Sequence, residues 1–489
     1  MSRDINTDIQ HRTELDKGNT VILGIDIGTS GVRGCLVSVN KPAFSAGGVY
    51  QETLLSECCV TMPMPEKTGD NGSSMQNPQI WTLAFKELFL NLAKFPDFKR
   101  LEHIVADATS STVLLCTPQG EALTQALMYD DQQAQSQATE IESIVKKGQY
   151  VTAATGPNST LAKCLFLIEQ VQQRAKTNPT QTLSNQPITI CHQIDWFNFW
   201  LTGQLGYTDE NNALKLGYDS IKQAWPNWVV ACLQQKTNSA GLVTSLPKVL
   251  KPGEVISSIS SLFAKKWNLS QDVKVHAGTT DSIAGFLASG AHKVGDAVSS
   301  LGSTLAVKLV SEKPIFNRKY GVYSHRLGTN WLVGGASNSG GAVLLHYFNL
   351  AQIKHRIALL EGSKELEGWL NQDNPDYYPL INTGERFPIA DPQCLARLPI
   401  KKPDSDEMET NQFFVAIIQG LANVESLSYK QLESLQASPL KRLFSVGGGT
   451  KNPIWMHFRK KYLKTQFSKA DSLDAAFGVT RIVSHYYKP

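Results

Sequence analysis

Apolar residues along this chain gather in short runs, each broken by glycine and hydroxyl residues. In the first run Val21, Ile22, Leu23, Ile25 and Ile27 are apolar and Asp26 interrupts them. A run of this length that ends in a turn predicts a buried strand over 21–27. A second strand is expected over 32–38, directly after "GTSG". A third, "HIVADATS", carries Asp107 near its end, and "TVLLC" follows it. From about 134 to 235 the pattern predicts mostly helix. A new strand begins at Val273 in "VKVHAGTTDS" and runs into the helix-like "SIAGFLASGA". The segment 369–412, rich in Pro and Asp, predicts a long loop or an inserted subdomain. Alternation of strand and helix argues for an α/β class.

At 489 residues the chain exceeds one ordinary core, so two domains are expected. The boundary is expected at roughly 265–278, giving a polar, mobile tail over 1–20 and domains over 21–270 and 271–489. A faint repeat supports two related halves. "DIGTSGVRGCLVS" (26–38) can be laid over "SLGSTLAVKLVS" (300–311), each a glycine–hydroxyl turn followed by an apolar strand.

The net charge of +4 predicts neither a nucleic-acid surface nor a polybasic membrane anchor. No apolar run approaches the roughly 18–20 residues of a membrane-spanning helix. The start of the chain reads as neither a signal nor a transit peptide. The eight cysteines show no CxxC spacing, and no HExxH occurs, so a structural zinc site is not expected and a reducing cytoplasm fits best.

Three stretches can carry chemistry. A turn of Gly, Thr and Ser such as Gly28, Thr29 and Ser30 can expose backbone N–H groups and hydroxyls as an anion site, though a plain tight turn has the same composition. Asp26 favours the anion reading. A lone carboxylate in a buried run costs several kcal/mol, whereas an acid beside a phosphate loop can hold Mg²⁺ through water. In "HAGTTDSIAGF", Asp281 stands at the start of a helix. It is either an N-cap or a carboxylate that accepts a hydroxyl proton during phosphoryl transfer. In "FSVGGGTKNPIW", a strand ends in three glycines and Asn452 and Pro453 open a helix. Gly448 and Gly449 would let a flat ligand approach, and Trp455 is either its apolar wall or core. There is no GxxxxGK[ST], no HRD or DFG, and no GxGxxG after a first strand, which sets aside P-loop enzymes and protein kinases and weakens a dinucleotide reading.

Together these stretches resemble the FGGY family of carbohydrate kinases over about residues 20–485. "GIDIGTSGVRG" is similar to that family's first phosphate motif, "SLGST" to its second, "VGGGTKNPIW" to its adenosine motif and "AAFGVTR" to its closing Ala-rich helix. "HAGTTDS" is similar to the stretch that carries its catalytic base, here Asp281. The resemblance implies two actin-like (ribonuclease-H-like) domains with a central cleft. It implies sugar near Asp26, Ser110, Ser111 and Asp281. It further implies ATP held by Thr29, Ser30, Gly302, Ser303, Gly448, Gly449, Asn452 and Trp455, and Mg²⁺ at Asp26. Within the family, "ADATSSTVLL", "TDENNALKLGYD", "GGASNSGGAVL" and "YYPLINTGERFP" resemble the D-ribulose/D-xylulose kinase-like branch of cyanobacteria and plants. That implies D-ribulose as the favoured substrate and D-xylulose as the alternative. "MYDDQQA" departs from the branch, with Gln133 where relatives carry arginine and Asp130 where they carry asparagine. Partners are then a small sugar and ATP, with no nucleic acid or membrane, in a monomer or homodimer. Two rivals are a catalytically idle sugar or nucleotide sensor on the same fold and an actin-like polymerising protein. Neither needs both the acids and the sugar-like stretches.

Overall fold

The computed structural model describes residues 18–40, 51–69, 72–177, 187–238, 243–372, 376–399 and 406–486. The tail expected over 1–20 lies outside the described residues except for Gly18, Asn19 and Thr20. The chain forms two units: unit 1 holds Met1–Ala288 and Asp474–Pro489, and unit 2 holds Ser289–Leu473.

Unit 1 is organised on one sheet of β1 (Thr20–Ile27), β2 (Gly31–Val39), β3 (Glu52–Thr61), β4 (Leu101–Ala108), β5 (Val255–Ser258) and β6 (Lys274–Thr280). Their order is β5-β6-β4-β1-β2-β3. β1 to β3 form an antiparallel meander, and β4 and β6 lie parallel beside β1. Apolar side chains on both faces of β1 are buried, because helices cover both sides of the sheet. One cover is the helix Pro78–Leu92. It starts where Asn77 accepts a hydrogen bond from the Gln79 N–H (3.0 Å) and Pro78 presets the first turn. Phe85 and Phe89 of this helix meet Phe197 and Trp200 edge-on, at ring centroid distances of 4.8 and 5.2 Å.

The second cover explains the discontinuity of unit 1. Helix Ala475–Arg481 returns to pack on β1 and on helix Asp281–Ala288. Gly24 and Gly478 permit the contact, since a Cβ on either would strike the carbonyl of Ala476 or of Ala284. Arg481 fastens the end of the helix, with Nη1 donating to the Leu287 carbonyl (2.7 Å) and Nη2 pairing with Glu52 (2.7 Å). The division therefore falls at 288/289 and again at 473/474, not at the expected 270/271. β6 pairs with β4 and keeps 274–288 in unit 1, and the last helix completes the same core.

A second, five-stranded sheet in unit 1 holds Val113–Cys116, the strand foreseen in "TVLLC". Helices Gln135–Gly148, Thr160–Thr177 and Asn227–Asn238 surround it through Ile141, Leu165, Ile168 and Val229. The stretch expected to be mostly helical contains a strand of this sheet, Pro187–His192, whose Ile188 and Ile190 favour a pleated, buried setting.

Unit 2 repeats the pattern. Its strands are β7 (Asp296–Leu301), β8 (Leu305–Ser311), β9 (Tyr323–Leu327), β10 (Asn330–Ala336), β11 (Arg442–Val446) and β12 (Gln466–Ser468), in the order β9-β10-β8-β7-β11-β12. The series β10-β8-β7-β11-β12 has the order and polarity of β3-β2-β1-β4-β6. The two stretches aligned as a repeat fall on the equivalent hairpins β1–β2 and β7–β8. The expected long insertion over 369–412 is shorter. Asp406 caps helix Glu407–Ser434 by accepting from the Glu409 N–H (2.8 Å), so its last residues are helical.

Candidate active site

Three acids gather at one end of the main sheet of unit 1. Register sets two of them side by side, since Asp26 of β1 lies opposite Asp107 of β4. On the far side of β4, Asp107 lies opposite Thr279, and two residues later Asp281 opens helix Asp281–Ala288. Burial raises Asp107 well above the usual carboxylate range, and the negative charges of Asp26 and Asp281 add to the effect. Burial also raises Asp26; Asp281 and Asp474 push the same way, against Asp107 as a hydrogen-bonding neighbour and Arg33. Both Asp107 oxygens are buried, and neither meets a partner at ordinary hydrogen-bond geometry, so Asp26 and Asp107 approach each other without closing a firm bond. A proton held by this pair relieves the repulsion of two buried carboxylates. Arg33 sits opposite Asp26 on β2 and donates to Asp474 (2.9 Å), which also caps helix Ala475–Arg481.

Asp107 was visible in the sequence as an acid near a strand end, but not as a member of the site. The available signal was that it stands next to last on its strand, as Asp26 does on β1.

The other residues expected in unit 1 divide by exposure. Asp281 is half-buried, and its Oδ1 accepts from the Ser282 N–H (2.6 Å). Thr29 is half-buried and Ser30 exposed in the β1–β2 turn, which Gly28 closes by donating its N–H to the Gly31 carbonyl (2.9 Å). Ser110 is half-buried. Ser111 beside it is fully buried and left-handed (φ 71°), and its hydroxyl donates to the Asn158 carbonyl (2.6 Å). Its geometry is that of a strut beneath Ser110. The Gln133 amide donates to Asp131 (2.8 Å), and Asp130 pairs with Lys67 (3.2 Å).

In unit 2, Ser303 is exposed and Gly302 half-buried in the β7–β8 turn. The carbonyls of Gly302 and Ser303 accept from the N–H groups of Gly341 and Ala342 (2.9 and 3.0 Å). The three glycines after β11 differ from one another. Gly447 is left-handed (φ 92°). A Cβ on Gly448 would meet open space, whereas one on Gly449 would lie 2.5 Å from the Trp455 ring and 2.8 Å from Leu301. Asn452 caps helix Pro453–Leu463 by accepting from the Ile454 and Trp455 N–H groups (3.1 Å each). Trp455 is 1% exposed and belongs to the core, so it offers a ligand almost no surface.

Asp26, Asp107, Asp281 and Asp474 act electrostatically on one another around Arg33, and such an acidic setting suits a hard divalent cation. Among the described residues, the one group of three side chains close enough to surround an ion is Cys35, Glu57 and Asp474. It does not suit Mg²⁺: burial raises the Cys35 thiol, and Asp474 already serves Arg33 and a helix. Asp26 fits Mg²⁺ in the manner that ion favours, one carboxylate with the remaining positions left to water and phosphate oxygens.

Comparison with known proteins matches both units of the chain. Residues 21–288 match the N-terminal domain of the FGGY family of carbohydrate kinases, and residues 297–473 match its C-terminal domain. A xylulose kinase of Lactococcus lactis is 24% identical over 456 residues, which is 90% of this chain and 82% of the relative. A gluconokinase of Bacillus subtilis is 21% identical, over 93% of this chain and 85% of the relative. Among solved structures, a xylulose kinase from Rhodospirillum rubrum has a TM-score of 0.72 at 17% identity, covering 95% of this chain and 89% of the other. A Plasmodium falciparum glycerol kinase with ADP has a TM-score of 0.74 at 16% identity, with the same coverage of both chains. With both domain models matched in order and two actin-like units each built on the same strand pattern, the chain belongs to the FGGY family of carbohydrate kinases.

Proposed function

We propose that this carbohydrate kinase transfers the γ-phosphate of ATP to the primary hydroxyl of a ketopentose. The observation that carries this reading is the grouping of Asp26 and Asp107 with Asp281, which lies at a helix start. Asp281 accepts the proton of the attacking hydroxyl as its oxygen bonds to phosphorus and the bond to ADP breaks. Sugar binds to unit 1 near Asp26, Ser110 and Asp281, with Ser111 supporting the turn. In unit 2, Gly448, Gly302 and Ser303 line the nucleotide, while Gly449, Asn452 and Trp455 shape the surface beneath it. Thr29 and Ser30 offer a phosphate turn in unit 1. Mg²⁺, when bound at Asp26, neutralises phosphate charge. Catalysis is chiefly alignment and charge compensation.

Of the two ketopentoses, D-xylulose has the stronger support, because the relatives at 24% identity from Lactococcus lactis and Haemophilus influenzae are xylulose kinases. D-ribulose rests on the resemblance of residues 106–115, 208–219, 334–344 and 377–388 to the cyanobacterial and plant branch. The gluconokinases among the relatives put aldonates on the same panel. The test is ADP release with ATP, Mg²⁺ and a series of pentuloses, hexuloses, polyols and gluconate. D-xylulose or D-ribulose should give the highest kcat/KM. Turnover confined to gluconate or a polyol would overturn the pentulose reading, and sugar binding without turnover would favour a sensor.

A further inference from the structure

A buried ammonium stands outside the chemistry described so far. Lys163, on helix Thr160–Thr177, is 0% exposed. Its Nζ donates to the carbonyls of Ser111 (3.0 Å) and Met128 (2.6 Å). These belong to different loops. Ser111 shapes the turn between β4 and Val113–Cys116, in the left-handed region at φ 71°. Met128 begins the loop that runs to Gln133. That loop is wound around Asp131, which accepts from the Ser74 N–H (2.7 Å), the Gln133 N–H (3.1 Å) and the Gln133 amide (2.8 Å). Ser111 is held further by its hydroxyl, which donates to the Asn158 carbonyl (2.6 Å) and accepts from Thr160 (3.2 Å). One side chain thus joins a helix start, the Ser110 turn and the Asp131 loop.

A lysine here is costly. Burial lowers its pKa to about 7, with Asp131 and Asp130 favouring the charged form and Lys215 opposing it. An apolar side chain of similar volume would fill this space without burying a cation, but it would leave the Ser111 and Met128 carbonyls without this donor. Filling space therefore does not call for an ammonium, but fixing two carbonyls of separate loops to one point does.

We propose that Lys163 is a positioning residue for the acceptor sugar, holding the Ser110 turn against the 128–133 loop so that Ser110 meets a sugar hydroxyl. This rests on the reading of unit 1 as the sugar-binding half. The experiment uses the full-length protein and the best sugar of the panel, with Lys163→Met, Ser110→Ala and the double variant. Lys163→Met should raise the sugar KM about tenfold or more, while the ATP KM and sugar-independent ATP hydrolysis stay within about twofold. The Ser110→Ala and Lys163→Met effects on sugar KM should be far from additive, because one acts through the other. Where Lys163→Met does not fold, Lys163→Gln takes its place; its amide keeps an N–H donor on a shorter stem, so it should raise the sugar KM in the same direction by less, again with the ATP KM within about twofold. Equal changes in both KM values, an unchanged sugar KM in folded protein, or additive effects would each overturn the proposal. A wild type that turns over no sugar overturns the underlying reading, and the proposal with it; an active wild type with a sugar-insensitive variant overturns the proposal alone.

Discussion

Asp281 and Asp107 are both acids in one cluster, yet their surroundings set them different tasks. Asp281 is half-buried at a helix start and is the base of the proposed reaction; Asp281→Asn should then lower kcat by about two to four orders of magnitude with little change in ATP KM. Stopped-flow or steady-state ADP release checks this, and a variant retaining a tenth of wild-type turnover would reduce Asp281 to a helix cap. Asp107 is fully buried and raised well above its ordinary value. An acid raised in the folded state contributes stability below its unfolded pKa and loses it as pH rises through the folded pKa. Asp107→Asn should therefore melt higher than wild type at neutral pH, with the gap closing as pH falls toward about 4. Thermal melts across that range decide it, and a gap independent of pH would mean that Asp107 is not raised. The glycine turn of unit 2 offers a paired test at the same scale. Gly448→Val should raise the ATP KM with little loss of Tm, because its side chain enters open space. Gly449→Val should lower Tm first, because it meets Trp455 and Leu301. The reverse order would put the nucleotide on Gly449.

At the scale of elements, the hairpins were legible because their signals are local. Apolar runs flank glycine–hydroxyl turns within about a dozen residues, and 26–38 and 300–311 duly became β1–β2 and β7–β8. The capping pair Asp406 and Glu409 was equally local but lay inside a stretch read by composition, so the start of helix Glu407–Ser434 was missed. Pairings that span sequence were not legible. Nothing near Asp107 says that it will face Asp26, since that follows from β4 choosing β1 as its neighbour. Trp455 could be wall or core from its neighbours alone, and the packing of helix Pro453–Leu463 decided for core. The docking of helix Ala475–Arg481 is of the same long-range kind, and it depends on a bare backbone at Gly24. Gly24→Val should destabilise unit 1 by about 3 kcal/mol or more, as overpacking against a rigid carbonyl does. A denaturant melt that moves less than about 1 kcal/mol would mean that the helix can step aside.

At the scale of the whole molecule, the chain leaves unit 1 after Ala288 and returns at Asp474. The two crossings are neighbours within unit 2, where the Asp471 N–H donates to the Ser289 carbonyl (3.2 Å). A short flexible linker can therefore replace unit 2. Residues 1–288 joined in this way to 474–489 should fold cooperatively, whereas 1–288 alone should melt lower or not at all. Circular dichroism of the two fragments compares them directly, and equal stability would show that the returning helix is dispensable.

The same return sets an order of events while the protein is being made. The ribosome emits most of unit 1 first, but Gly24 waits for a helix that begins at Ala475. At ~5–20 residues per second the intervening stretch takes roughly 10–40 s to appear. Through that interval the face of β1 that helix Ala475–Arg481 will cover lacks its cover, and the contiguous 289–473 can finish folding before the part that precedes it. The first half to be synthesised is the last to be completed, so a nascent chain stalled before residue 474 is the form of this kinase that chaperones should engage most.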